Sequence, residues 1–208
     1  MTTRLPLSAE VIFEAALRLV DKEGIDALTM RRLAGVLGVA TMSLYSHVPN
    51  KDELLLGVVD LATSEIALPE PDTPPWEALR LITRDFRRVA LLHPNLVPLI
   101  VRHPPTGPEG LGVLEAALDA LRRAGMEPAE AARAYRVSSS WAIGFVSLEC
   151  GGIFNPVDLP AGDEISPGGV GARRRIVECG PYLAEWDADA EFEAGMDLII
   201  RALSAFPG

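Results

Sequence analysis

Thr41, Met42, Ser43, Tyr45 and His47 place five side chains suited to a nucleic-acid surface within one short stretch. On a helix, with Leu44 and Val48 turned inward, the 100° step puts Met42 and Ser46 on the opposite side and Ser43 and Tyr45 on the flanks. Thr41 opens that helix and His47 closes it. Its outward surface is made of hydroxyls, a thioether, a phenol and an imidazole, with no carboxylate among them. Such a set can meet base edges, thymine methyls and phosphates. A merely solvated helix more often shows Glu and Lys, so a plain helical hairpin with a polar face is the weaker alternative.

Lys51 adds an independent physical signal. Asn50 and Glu53 have the spacing of an N-cap and a capping box, so a helix starts at Lys51. A cation there opposes the positive end of the helix macrodipole. The placement makes sense if an anion lies beside it, because free backbone N–H groups and one ammonium form a phosphate site. The alternative is a solvent-facing lysine with no partner.

These residues need a rigid mount, and the preceding stretch supplies one. A helix from Thr29 to Val36 would have Thr29 as its N-cap and Met30, Leu33, Ala34 and Leu37 inward. Gly38 falls where the chain must reverse, and glycine enters the left-handed region without a Cβ penalty. Ala34 provides the small side chain that a steep crossing so near the turn requires. The unit is a helix-turn-helix, which lays its second helix in the DNA major groove.

The run LTMRRLAGVLGVATMSLYSHVPNKDELL resembles the N-terminal DNA-binding domain of the tetracycline-repressor (TetR) family of bacterial transcription regulators. The LTMRRLA helix, the LGV turn, the SLYSHV recognition helix and the NKDELL helix start occur in the family's order. With the preceding amphipathic helix they cover about the first quarter of the chain. By position, the resemblance implies DNA contacts at Thr29, Arg31, Thr41, Met42, Ser43, Tyr45, His47 and Lys51. Ser46 stands where some members carry a large aromatic.

Composition bounds the rest. The chain has 208 residues, 49% hydrophobic, and a formal net charge of −10, which repels a polyanion. Through Lys51, however, six basic residues face five acidic ones, giving +1 and leaving −11 for the remainder. A near-neutral reading head therefore precedes an acidic body that faces away, and affinity must rely on two copies of the head. No run is long enough to span a bilayer, and MTTRLPLSAE lacks the apolar core of a signal peptide, so a cytoplasmic location is expected. Cys150 and Cys179 suggest no disulfide framework.

The expected architecture is all-α: a helix-turn-helix domain over 1–50, a linking helix over 51–68, and a ligand-binding and dimerisation domain over 69–208. Ser8 caps a first helix to about Glu23, with Val11, Ala15, Leu19 and Val20 inside. The linking helix reaches about Ala67, and PEPDTPP from Pro69 to Pro75 marks the boundary. Amphipathic segments follow near Trp76–Leu92, Pro94–Arg102, Pro108–Ala124 and Pro128–Cys150, the last three opening on proline as a first helical turn allows. Ser138–Glu149 and a last helix near Ala190–Phe206 are apolar on nearly every side, so both need cover on more than one face. Asn155–Gly171 is long for a connection, and Arg173, Arg174 and Arg175 after it suit a helix face pairing with the acidic body.

ALLHPNLVPLI and GFVSLE extend the resemblance into the body, where it implies a four-helix homodimer bundle and an enclosed small-molecule pocket. Candidate lining residues are Phe86, Leu91, His93, Leu99, Arg102, His103, Trp141, Phe145 and Glu149. His93 before Pro94 is equally a helix cap, Glu149 a solvated helix end, and the aromatics core. No further His, Asp or Glu has metal spacing, so neither metal nor cofactor is expected. The sequence thus points to a DNA-binding regulator that reads a pseudo-palindromic operator in double-stranded DNA as a homodimer. The resemblance implies repression relieved by a small apolar or aromatic effector. An α-helical enzyme or ligand carrier is the alternative, but there is no paired-carboxylate motif, nucleophile–His signature or Gly-rich phosphate loop. A purely structural dimer leaves the carboxylate-free face of Ser43, Tyr45 and Ser46 unexplained.

Overall fold

A computed structural model describes residues 6–102, 106–152 and 174–205, which form ten α-helices and two 3-10 turns with no strand among the described residues. Helix α1 (Ala9–Glu23) starts where the Ser8 hydroxyl accepts from the Val11 N–H, and stops at Gly24. Its buried stripe is Ile12, Ala15, Ala16, Leu19 and Val20. Val11, expected inside, is only half-buried, because the stripe is centred one position further on.

Helix α2 (Met30–Leu37) is capped by Thr29, whose hydroxyl oxygen accepts from the Arg32 N–H at 3.1 Å. Gly38 takes the left-handed conformation at φ 63° and ψ 39° and ends it. Helix α3 (Thr41–Tyr45) is shorter than the sequence suggested: Ser46 is its C-cap and His47 lies beyond its end. Leu44 is fully buried and Val48 nearly so, and together they pin α3 against the head. Burial of Leu44 stabilises by about 2–3 kcal/mol, and truncation to alanine costs about 2–5 kcal/mol because a cavity is left.

Helix α4 (Lys51–Thr63) is capped by the Asn50 side chain, which accepts from the Glu53 N–H at 2.9 Å. It stops earlier than expected, at Ser64, and Ile66 then tucks into the body. Gly57 lets α4 lie flat on α1, since a Cβ there would strike the Phe13 ring. Packing continues past residue 50: Leu54, Leu55, Val58 and Val59 join the head core, and Leu96 and Leu99 close it from the body side.

The body comprises α5 (Pro75–Leu92), α6 (Val97–Arg102), α7 (Pro108–Arg123), α8 (Pro128–Cys150), α9 (Arg174–Leu183) and α10 (Ala188–Ser204). Pro94–Leu96, expected to open a helix, forms a 3-10 turn before α6. Helix α8 begins on a reciprocal capping box between Glu127 and Glu130. Helices α5, α7 and α8 share one core with Leu203 of α10. A second cluster, Phe192, Met196 and Ile200, fixes α10 against Trp76, Trp141 and Phe145. Bidentate Arg84–Glu193 contacts at 2.7 Å and the Arg80–Asp197 pair tie α5 to α10 from outside. No described helix is long and apolar enough to cross a membrane.

Candidate nucleic-acid interface and ligand cavity

The turn at Gly38 and the buried Leu44 leave one face of α3 free. Met42 is 75% exposed and Tyr45 41% exposed, while Thr41 and Ser43 are half-buried at the edges. The Ser46 hydroxyl donates to the Ser43 carbonyl at 2.8 Å, so its proton is already used within the helix. His47 is exposed just past the helix end. Thr29 is exposed and its oxygen accepts the cap bond, which leaves its O–H free to donate outward. Arg31 is exposed with no ion pair among the described residues. Its neighbour Arg32 is held back by Glu23 at 2.8 Å, and that hydrogen bond keeps the Glu23 carboxyl below its ordinary range.

Lys51 stands exposed in the first turn of α4, where Asp52 and Glu53 supply the favourable negative charge. The eight sequence-derived positions thus all lie on the head, on α3, at the starts of α2 and α4, or just past α3. The arrangement can place hydroxyls and a phenol at base edges, with Thr29, Arg31 and Lys51 towards phosphates.

Below the head, α4, α5, α7 and α8 enclose an apolar cavity with about 130 Å³ open to the centres of water-sized spheres. Phe86 and His93 are on its wall, together with Val59 and Thr63 of α4, Val113 of α7, and Tyr135, Ser139 and Ile143 of α8. Burial raises the Tyr135 phenol above its ordinary value, which keeps it protonated.

The structure does not bring Trp141, Phe145 and Glu149 to this cavity. Tyr135, Ser139 and Ile143 repeat every four residues and form the cavity stripe of α8. Trp141, Phe145 and Glu149 repeat in the same way but two positions away, so they face α10. Trp141 stacks on Phe192 at 5.2 Å, and Phe145 meets Phe192 edge-on at 5.3 Å and Trp186 at 5.6 Å. Glu149 receives both ends of the Arg87 guanidinium, which also lies 4.9 Å over the Phe192 ring and reaches Asp189 at 2.7 Å. Of the wider set, Leu91 and Arg102 are exposed and Leu99 belongs to the head core. His103 lies outside the described residues, as do Asn155–Gly171 and Arg173.

His93 does more than cap a helix. Its Nδ1 lies 3.0 Å from both Asp21 oxygens on α1, and its Nε2 lies 3.3 Å from Glu65 beyond α4. Asn95 donates to the carbonyls of Val20 and Asp21 at 3.0 and 3.2 Å. Asp60 of α4 accepts from the Gly110 N–H at 3.0 Å, so the start of α7 is capped by the linking helix. Sequence reasoning passed over Asp21, Asp60, Asn95 and Tyr135. Asp60 had a signal, as a lone acid in the apolar run LLLGVVDLAT; so did the hydroxyls of SSS in an otherwise apolar helix. Among the described residues no group of three His, Cys, Asp or Glu is placed to hold a metal. Burial first, then the nearby Glu149 charge, raises the Cys150 thiol, which leaves it a poor nucleophile.

Comparison with known proteins follows the same division. Residues 12–58 match the family model for bacterial regulatory proteins of the tetR family, and residues 68–206 match the tetracyclin repressor-like C-terminal domain. An HTH-type transcriptional regulator of Saccharopolyspora erythraea is 35% identical over 148 residues, 71% of this chain and 63% of that protein. The HTH-type transcriptional repressor DrrR1 of Streptomyces coeruleorubidus is 31% identical over 144 residues, 66% of this chain and 52% of that protein. The matched stretch therefore spans less than two thirds of either relative. Apo ActR from Streptomyces coelicolor superposes with a TM-score of 0.82 at 32% identity, covering 97% of this chain and 96% of ActR. ActR has also been solved in complex with actinorhodin, and that structure superposes with a TM-score of 0.81.

Proposed function

Because the chain belongs to the TetR family of bacterial regulatory proteins, we propose that it is a homodimeric transcriptional repressor released from its operator by a small effector. The observation that carries the reading is a single linked path. A carboxylate-free helix face sits on a rigid turn, and the helix after it forms part of the wall of an apolar cavity. Met42, Ser43, Tyr45 and His47 read base edges in the major groove, Thr41 supports them at the start of α3, and Thr29, Arg31 and Lys51 hold phosphates. The protein acts in the cytoplasm and works by binding, not by catalysis.

Two heads are held together by the outer faces of α8 and α10, where Val137 and Leu198 remain exposed. The pair reads half-sites about one DNA turn, or a multiple, apart. Phe86 and His93 meet the effector from the cavity wall. Release follows because α4 lines that cavity and also packs into the head, while His93, Asn95 and Asp60 fasten head and body at three further points. An effector that fits only one spacing of wall helices favours one spacing of heads.

A gel shift with the DNA upstream of the chain's own coding sequence tests the first half. A neutral aromatic compound added to the shifted complex tests the second half. Retardation of that fragment and not of random DNA, reversed by a compound that enters the cavity, is expected. Equal affinity for every sequence would sink the repressor reading.

A further inference from the structure

The cavity wall has an unusual polar inventory. Thr63 and Thr83 donate to the Val59 and Leu79 carbonyls at 2.8 and 2.7 Å, and Ser138 and Ser139 donate to Ala134 and Arg136 at 2.9 and 3.3 Å. Each of these hydroxyl protons is spent inside its own helix, so towards anything held in the cavity these four residues can offer only oxygen lone pairs. Tyr135 is different: its phenol has no hydrogen-bond partner among the described residues, and it lines the same space as an unused donor.

Among the described residues, free charge is missing from the wall in the same systematic way. The four arginines of α5 next to the cavity are each committed to a carboxylate outside it: Arg80 to Asp197, Arg84 to Glu193, Arg87 to Glu149 and Arg88 to Asp85. His93 is the one ionisable imidazole on the wall among the described residues, and both its nitrogens are turned to Asp21 and Glu65. Among the described residues an anion in this space would meet apolar carbon, lone pairs and no free cation, and a buried charge without a partner is strongly disfavoured.

We infer that the cavity selects an uncharged, ring-sized molecule that gives hydroxyl protons to the serine and threonine oxygens and presents a carbonyl to the Tyr135 phenol. This rests on reading the cavity as the effector site. It adds a sign, since anionic relatives of an effector are rejected, and it assigns Tyr135 as the residue that orients the ligand carbonyl.

Two matched probes test it on the full chain. N-phenyl-1-naphthylamine and 1-anilinonaphthalene-8-sulfonate share one ring skeleton and differ by a sulfonate, and both fluoresce in apolar sites. The neutral probe should bind at least about tenfold more tightly, a difference of one buried, unpartnered charge. Ser139→Phe, which fills the cavity, should abolish its binding. Ser139→Arg, which brings a cation to the wall, should reverse the order of the two probes. 1-Tetralone, a neutral ketone, should displace the naphthylamine, and Tyr135→Phe should weaken the ketone about fivefold while leaving the naphthylamine within about twofold. Equal binding of both probes to the parent chain, both lost in Ser139→Phe, overturns the inference; so does absence of naphthylamine binding. Equal affinity of the ketone for parent and Tyr135→Phe removes the orienting role. Probes that bind as expected without releasing DNA would support the ligand class and sink the effector reading, so the two failures are distinct.

Discussion

Glu149→Ala provides the sharpest test of how the body is held together, because the family resemblance placed this carboxylate at a ligand and the structure gives it to Arg87. The side chains of Arg87 and Glu149 are only 13% and 12% exposed, and two guanidinium nitrogens meet the two carboxylate oxygens. Removing one partner of such a pair costs about 3–5 kcal/mol when the other charge is left without compensation. Here Asp189, which is 88% exposed, still reaches Arg87, and the Phe192 ring still lies beneath it. The cost should therefore fall to about 2–3 kcal/mol, which for a chain of this size lowers Tm by roughly 4–12 °C. The double replacement Arg87→Leu with Glu149→Leu removes both charges and should recover much of that loss. Thermal unfolding followed by circular dichroism reads both effects, and binding of N-phenyl-1-naphthylamine to Glu149→Ala at a temperature where it is folded should match the parent. A Tm change below about 2 °C, or a double variant no better than the single one, would refute the buried-pair account. Lost probe binding in a folded Glu149→Ala would return Glu149 to the cavity.

On DNA, Lys51→Ala should weaken binding to all sequences alike and lower the salt slope by about one unit, whereas Tyr45→Ala should cost more on the operator than on random DNA, both read by anisotropy. Leu198→Glu should leave a folded chain that sediments as a monomer and no longer shifts operator DNA. Ile199 is a poor probe of the same interface because it packs against the α5–α7–α8 core. Acid should loosen the body: Arg88 and Arg84 hold Asp85 and Glu193 below their ordinary values, so the stability they supply is present above the unfolded carboxyl values and is lost as pH falls through the folded ones. Tm should therefore fall as pH drops below about 4.5, and Asp85→Asn should flatten part of that fall.

The helix-turn-helix head was legible because its determinants act within one helical turn. Thr29 and Asn50 cap from three residues away, Gly38 supplies a left-handed residue, and the Leu44–Val48 pair defines which side of α3 is left outside. Short-range rules were enough for most of it; they missed the half-burial of Val11 and the end of α3, where Ser46 stops the helix before His47. Helix α8 gave the opposite result. It is apolar on most sides, so its sequence carries two four-residue stripes of equal merit, Tyr135–Ser139–Ile143 and Trp141–Phe145–Glu149. Which one borders a cavity and which one packs on α10 was decided by α5, α7 and α10 together, through Phe192 and the Arg87 clamp. His93 shows the same limit across the whole chain. Its partners Asp21 and Glu65 are 72 and 28 residues away, and only the docking of head on body makes one imidazole part of both. Periodicity reports that a residue shares a face with its neighbours one turn along; it holds no information about which distant element that face will meet.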